Sequence, residues 1–356
     1  MDSRKINKAF FFSVFLTALA SAVQSFGNTP GELVHAEMET DLVPSPAKFD
    51  VLLPPNYESI QEPLPVLLWL HGGSNGKNHI ERRLRTHIES AWNDGILSPL
   101  VVIAPITGNS YYIDWKDGTQ NWEEFITDEL ISNVRGQFNV QSDRAGTVIA
   151  GASAGGQGTL RIALRNPEKF VAAVAMEPGF EPVLQFQDVD LSRFPGDTAN
   201  RFLHPRFGQP VDAEYWAERH PPAIVVRHAS KIRDSNLQIR IEAGDEDANL
   251  TWLSAELIHR LLFDAGIRHE FYIEYGAAHT GRSLPRRLHD SFAFMERALY
   301  PEGPDPEALR HLEGAKKNGR YTPRIPNQLT YESCLLYTSD AADDTPCVDL
   351  GGRRII

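Results

Sequence analysis

The run Gly151-Ala152-Ser153-Ala154-Gly155-Gly156 sits directly after the β-rich stretch AGTVIA and directly before a helical stretch that runs through Leu160 and Ile162. A backbone that passes from strand to helix in so few residues crowds itself. The positions around the serine must therefore be nearly free of side chains, and the hydroxyl is left exposed at the end of the strand. A plain glycine-rich turn is the bland alternative. The context of strand before and helix after favours the tight nucleophile turn, which belongs in a sheet covered by helices.

The rest of the chain supplies such a sheet. From residue 46 onward seven β-rich runs alternate with amphipathic stretches: AKFDVLL (47–53), PVLLWLH (65–71), LVVIAP (100–105), AGTVIA (145–150), VAAVAM (171–176), LQIRIEA (237–243) and HEFYIEY (269–275). Several are unbroken apolar runs, as strands buried on both faces should be. In NWEEFITDELISNVRGQF, residues Trp122, Ile126, Leu130, Val134 and Phe138 recur every four positions with Phe125 alongside, which predicts one apolar helical face. Glu123, Glu124 and Asp128 are expected to be solvated. Further helices are predicted at 78–93, 155–165, 250–265 and 286–299. The expected fold is α/β, a mostly parallel central sheet with helices on both faces. Residues 177–236 break the alternation and are expected to form an excursion over the sheet that walls a pocket.

The chain ends are set apart from this domain. Arg4, Lys5 and Lys8 precede the apolar run AFFFSVFLTALASAV, and small residues at 18–22 follow the form of a cleavage site, so residues 1–22 read as an export signal and 23–45 as a linker. The run is too short for a comfortable membrane span, and no stable span is expected in the mature form. The domain is expected to cover 46–325. Residues 326–356 are expected to be a non-native tail, in which CLLYTSDAADD resembles the translation of a sequencing adapter, with 333–356 as read-through. Both cysteines, Cys334 and Cys347, fall there, so no disulfide or metal argument is built on them. With 42% hydrophobic residues and a net charge of −12, the chain is neither disordered nor a basic nucleic-acid binder.

A serine hydroxyl needs a base within reach and a third group to orient that base. Two late strands offer these in order. LQIRIEA leads into Gly244-Asp245-Glu246-Asp247, and HEFYIEY into Gly276-Ala277-Ala278-His279, each at a strand's carboxyl end, where such sheets bind ligands. His279 is the expected base, with His289 in reserve. Asp247 is the expected acid, because the turn leaving the strand must bring the carboxylate back toward the histidine; Asp245 stays open as the alternative. Attack on a carbonyl also needs an oxyanion cradle of backbone N–H groups. Ala154 supplies one, and Gly73 of the His71-Gly72-Gly73 turn after PVLLWLH is expected to supply the second, with His71 read as structural. Neither phosphate-binding glycine pattern is present. Tyr111, Tyr112, Trp115 and Trp216 are the candidate substrate-binding aromatics.

These residues carry a resemblance. VLLPPNYE before PVLLWLHGG, the segment WEEFITDELISNVRGQF, GASAGGQGTLRIALRNPEKFVAAVAMEP, and finally GDEDANL and GAAHT together resemble the esterase D-like branch of the α/β-hydrolases over about residues 46–300. That branch includes feruloyl and acetyl-xylan esterases, S-formylglutathione hydrolases, enterochelin esterases and mycolyltransferases. The resemblance implies an α/β-hydrolase fold, Ser153 as nucleophile, Asp247 as acid, His279 as base, and Gly73 and Ala154 as oxyanion donors. Many relatives place tryptophan shortly after the histidine; here the run is His279-Thr280-Gly281-Arg282-Ser283.

The expectation is an exported, secreted or periplasmic serine carboxylic ester hydrolase working through an acyl-enzyme. It would act on a small-molecule or polysaccharide-linked ester of feruloyl or acetyl type, with no metal, organic cofactor or nucleic-acid partner. The alternatives are acyl transfer or peptide cleavage on the same triad, and a non-catalytic binding protein on a hydrolase fold.

Overall fold

The computed structural model describes residues 30–193 and 197–320. The expected leader and tail, including both cysteines, lie outside the described residues. Eight strands form one sheet: β1 (Glu32–Met38), β2 (Ala47–Leu53), β3 (Val66–Leu70), β4 (Val101–Pro105), β5 (Thr147–Ala152), β6 (Ala172–Met176), β7 (Gln238–Gly244) and β8 (Glu270–Glu274). Their spatial order is β1-β2-β4-β3-β5-β6-β7-β8. β2 pairs antiparallel with β1 and β4, and β4, β3 and β5 to β8 run parallel.

The helices are α1 (Arg85–Asn93), α2 (Trp122–Glu124), α3 (Ile131–Gln137), α4 (Ala154–Arg165), α5 (Thr198–Phe207), α6 (Ala213–Ala217), α7 (Pro221–Ser235), α8 (Thr251–Asp264), α9 (Leu284–Leu299) and α10 (Pro306–Lys317). The central strands are apolar without a break because each serves two cores. In β3, Val66, Leu68 and Leu70 enter the layer under α3, α4, α7 and α8, whereas Leu67 and Trp69 enter the layer under α1 and α9. Ile149 and Val148 of β5 divide in the same way. Among the described residues no helix is long and apolar enough to cross a membrane.

Three sequence expectations are corrected. The linker assigned to 23–45 contains β1, an eighth strand whose full length pairs with β2 from Glu32↔Leu53 to Met38↔Ala47. Glu32, His35 and Glu37 are exposed on this edge and hide the strand pattern, while Val34, Ala36 and Met38 pack half-buried on the core. Glu123 is not solvated: it is 5% exposed, paired with Arg165 at 3.0 Å and hydrogen-bonded by Asn166 Nδ2 at 3.2 Å. Glu124 and Asp128 are exposed as expected. The stripe is buried from Trp122 to Val134 and half-buried at Phe138, but α2 and α3 are joined by a π-helical stretch, Phe125–Leu130. Apolar residues four apart drift around a 3.6-residue helix, and the wider π turn keeps them facing inward.

The 177–236 excursion carries α5, α6 and α7. It closes on a small core of its own, Val189, Leu203, Phe207, Trp216, Ala217 and Ala223, into which Ile113 from the loop after β4 inserts.

Candidate active site

Parallel strands deliver their carboxyl ends to one rim. Here those ends carry His71-Gly72-Gly73 after β3, the 107–115 loop after β4, Ser153 after β5, Glu177 after β6, Asp247 after β7 and His279 after β8.

Ser153 occupies φ 59°, ψ −120°, between β5 and α4. Such a backbone costs a non-glycine residue on the order of 1–3 kcal/mol, and the surroundings have to enforce it. They do so by close packing. A Cβ at Gly151 would stand 2.6 Å from the Leu70 carbonyl oxygen, one at Gly155 would run into the same carbonyl, and one at Gly156 would stand 2.5 Å from the Met176 oxygen. The Ser153 amide donates to Met176 O at 2.9 Å, and its carbonyl accepts from Gly179 N at 3.3 Å. The glycines of the motif are therefore the positions where neighbouring backbone leaves no room for a side chain.

Gly72 lies beside this turn: a Cβ there would be 3.5 Å from Ser153 Cβ and 3.4 Å from Ala152 O. Gly73 is exposed and open, with no atom within 4 Å of the place a Cβ would occupy. Ala154 begins α4, where amides lack intrahelical acceptors and the helix end is electropositive. His71 is 1% exposed; its Nδ1 meets Gly72 O at 2.7 Å, its Nε2 accepts from Thr107 N at 3.3 Å, and burial holds its pKa down. Both ring nitrogens are thus occupied in fixing the glycine turn.

Asp247 and His279 come together from loops 32 positions apart: Asp247 Oδ2 is 2.7 Å from His279 Nδ1. The Asp247 carboxylate is fully buried and the His279 ring is a quarter exposed. Burial pushes the Asp247 carboxyl up, but hydrogen bonds from Thr251 Oγ1, the Asn249 amide and His279 outweigh it and leave the group below the usual carboxylate value. The two loops are cross-tied. Asp245 N donates to Glu274 O at 3.2 Å, Glu246 N to Ala277 O at 2.9 Å, and Gly276 N to Asp245 Oδ1 at 2.6 Å. Asp245 therefore clamps the loop and does not approach the imidazole. His289 is exposed on α9. The described hydrogen bonds link Asp247 to His279 and include none from the Ser153 hydroxyl to the ring, a contact often long until substrate is bound.

The four aromatics separate. Tyr112 is 1% exposed, donates its hydroxyl to His71 O at 2.6 Å and packs over Gly158, so it supports the glycine turn from behind and lines no open surface. Trp216 is 6% exposed and stacked on His220 at 4.0 Å inside the excursion's core. Tyr111 and Trp115 are half-buried around the Arg206 guanidinium, which lies 5.6 Å and 5.4 Å from their ring centres and 4.4 Å from Phe202. Arg206 also donates to the carbonyls of Asn109, Ser110 and Phe202, and Arg161 Nη1 donates to Tyr111 O at 2.6 Å. Two buried arginines thus hold a loop in which Tyr111 and Tyr112 both take positive φ.

Sequence reasoning missed a buried polar group under the Asp247–His279 pair. Glu177, 1% exposed, has its Oε2 2.7 Å from Thr251 Oγ1 and accepts from the Gly244 amide and from fully buried Arg287. An acidic residue directly closing the apolar run VAAVAM, and an arginine four residues before Ser291 and eight before Met295 on a helix's inner face, were the available signals. Glu177, Asp247 and His279 offer donor atoms within 4.8 Å of one another. Each is already engaged in hydrogen bonds, and Arg287 brings a positive charge against the set, a poor environment for a metal ion.

Comparison with known proteins matches residues 41–275 to the Esterase family, described as "Putative esterase". The S-formylglutathione hydrolase of Bos taurus is 30% identical over 187 residues, covering 46% of this chain and 62% of that protein. The chain thus spans less than two-thirds of that relative's length. Among solved structures, a ferulic acid esterase superposes with TM-score 0.61 at 19% identity, over 76% of this chain and 100% of the other. An S-formylglutathione hydrolase from Agrobacterium tumefaciens gives 0.59 at 20%, over 75% and 96%. These likenesses establish the fold as that of an α/β-hydrolase.

Proposed function

The chain belongs to the putative esterase family of α/β-hydrolases, and from that premise we propose that it is a serine carboxylic ester hydrolase with Ser153, His279 and Asp247 as its triad. The observation that carries the reading is the 2.7 Å bond between Asp247 Oδ2 and His279 Nδ1, on the rim that also bears the strained Ser153 turn.

In this mechanism the Asp247 carboxylate keeps the proton on His279 Nδ1 and leaves Nε2 free to act as base. Nε2 takes the Ser153 proton as Oγ attacks the ester carbonyl carbon. The negative oxygen then forms against the Ala154 and Gly73 amides. The imidazolium returns its proton to the departing alcohol, leaving Ser153 acylated, and a water molecule activated by His279 releases the acid. Asp247 stays ionised throughout, in keeping with its lowered pKa.

The proposed substrate is an ester of aromatic or acetyl type on a carbohydrate. Tyr111 and Trp115 around Arg206 supply a flat, polarisable wall suited to an aromatic acyl group. The proposed setting is outside the cytoplasm, from the basic and apolar leader at 1–22. A fluorophosphonate probe tests the core of the reading: it should label the wild type and leave Ser153→Ala unlabelled. Equal labelling of both would refute it. A panel of feruloyl, acetyl and medium-chain esters then ranks the acyl groups.

A further inference from the structure

Thr251 Oγ1 stands between two carboxylates, in hydrogen-bond contact with Glu177 Oε2 at 2.7 Å on one side and with Asp247 Oδ2 on the other. A hydroxyl has one proton. It can donate to one of these oxygens, and the other must itself bring a proton or be left facing a lone pair in the protein interior. All three residues are buried, so water does not relieve the conflict. Asp247 already accepts from His279 Nδ1 and from the Asn249 amide at 2.8 Å. Glu177 Oε1 accepts from Arg287 Nη1, and the Gly244 amide reaches both Glu177 oxygens at 3.1 and 3.2 Å. Oε2 is therefore the place where a proton satisfies every partner.

Resting on the triad reading above, we propose that Glu177 is a positioning residue that holds a proton on Oε2 and donates it to Thr251 Oγ1, so that Thr251 donates to Asp247 and fixes the acid against His279. Arg287 extends the same framework to the base, since its Nη2 donates to the Ala278 carbonyl at 3.2 Å, one residue before His279. The charged and titratable groups facing Glu177 are Arg287 from α9, Glu242 from β7 with Arg240 beyond it, and Asp247 and His279 from their loops. Arg287 favours the ionised form of Glu177, while burial and the neighbouring acids oppose it. Burial is the largest influence and raises the Glu177 pKa, whereas that of Asp247 is lowered, the asymmetry that a single shared proton requires.

The test uses the full chain with p-nitrophenyl acetate, following kcat, KM and the pH profile alongside thermal melts. Thr251→Val keeps shape, leaves the Arg287–Glu177 pair intact and removes the bridge; kcat should fall about 10–100-fold with KM within about 3-fold, and Thr251→Ser should rescue most of the loss. Glu177→Leu should lower kcat comparably. Glu177→Gln, whose amide donates as the protonated acid does, should recover it at neutral pH and remain active on the alkaline side, where the wild type declines as Glu177 loses its proton. Wild-type kcat in Thr251→Val would overturn the positioning role. Glu177→Gln as impaired as Glu177→Leu at neutral pH would overturn the proton assignment. Because Glu177→Leu strands the Arg287 charge, the Thr251 pair decides if that variant does not fold. Fluorophosphonate labelling separates the two failures: an unlabelled wild-type Ser153 sinks the triad reading and this inference with it, whereas a labelled enzyme indifferent to Thr251→Val sinks this inference alone.

Discussion

Asp245 and Asp247 lie two positions apart on one loop and do different work. Asp245 takes the Gly276 amide on Oδ1 and braces the loop, while Asp247 turns inward to His279. Asp247→Asn should lower kcat by about 10³–10⁴-fold with an unchanged circular dichroism spectrum, because the imidazole loses its preferred tautomer. Asp245→Asn should stay within about 3-fold, since an amide oxygen still accepts from Gly276. The reverse ranking would show that the acid is misassigned. That Asp247 and not Asp245 would meet His279 was expected from the sequence, because the strand end at Gly244 sets how far the chain must travel before it can turn back; its role as the triad acid is what these variants test. Buried charge was hardly legible: Glu123 carries no local mark and Glu177 only its place at the end of VAAVAM, since the arginines that face them come from distant helices. Glu242 is the sharpest case. It is fully buried, 3.5 Å from Arg240 and 3.6 Å from Arg287, with neither oxygen hydrogen-bonded, and burial raises its pKa from 4.5 to about 7. Between those values the folded chain keeps a proton that the unfolded chain releases, so this group's contribution to stability falls as pH rises through the window. Glu242→Gln should therefore gain on the wild type by on the order of a few kcal/mol between pH 4.5 and 8 in urea unfolding. A stability difference that ignores pH would remove the basis for this expectation.

Among the elements, the turn from β5 into α4 was readable because its chemistry is local: glycine is needed wherever another backbone passes too close for a side chain. Gly155→Ala should cost at least about 3 kcal/mol or yield insoluble protein, as its methyl group would collide with the Leu70 carbonyl. Gly136 makes the control. It lies in α3 with open space around it, and Gly136→Ala should raise stability by about 0.5–1 kcal/mol in the same denaturation assay. The seven strands predicted from β-rich runs are all present; β3 to β6 are buried, which writes itself into composition, whereas the half-buried edge strand β8 shows through its β-forming residues. β1 escaped for the opposite reason: an edge strand keeps polar residues on one side, and its partner β2 supplies the hydrogen bonds that its own sequence does not announce. The π stretch of Phe125–Leu130 was latent in the four-residue spacing, which an α-helix alone cannot keep on one side.

On the scale of the whole molecule, the order of residues along the rim was readable from the chain, whereas the packing of the 177–236 excursion was not. Trp216 is consumed by the excursion's own small core, and of the four aromatics only Tyr111 and Trp115, around Arg206, are proposed to face an acyl group. Residues 333–356 are proposed to be extraneous, so deleting them should leave both melting temperature and specific activity on p-nitrophenyl acetate unchanged. The loops after β7 and β8 are laced together by three hydrogen bonds, and a Cβ on Gly244 would strike the Ala277 carbonyl. The proposed acid and base are consequently held together as one unit. A chimera that exchanged residues 238–279 in a single block with a relative would transplant a working pair, but a crossover placed inside that block would join two halves of different clasps and leave a folded, silent protein.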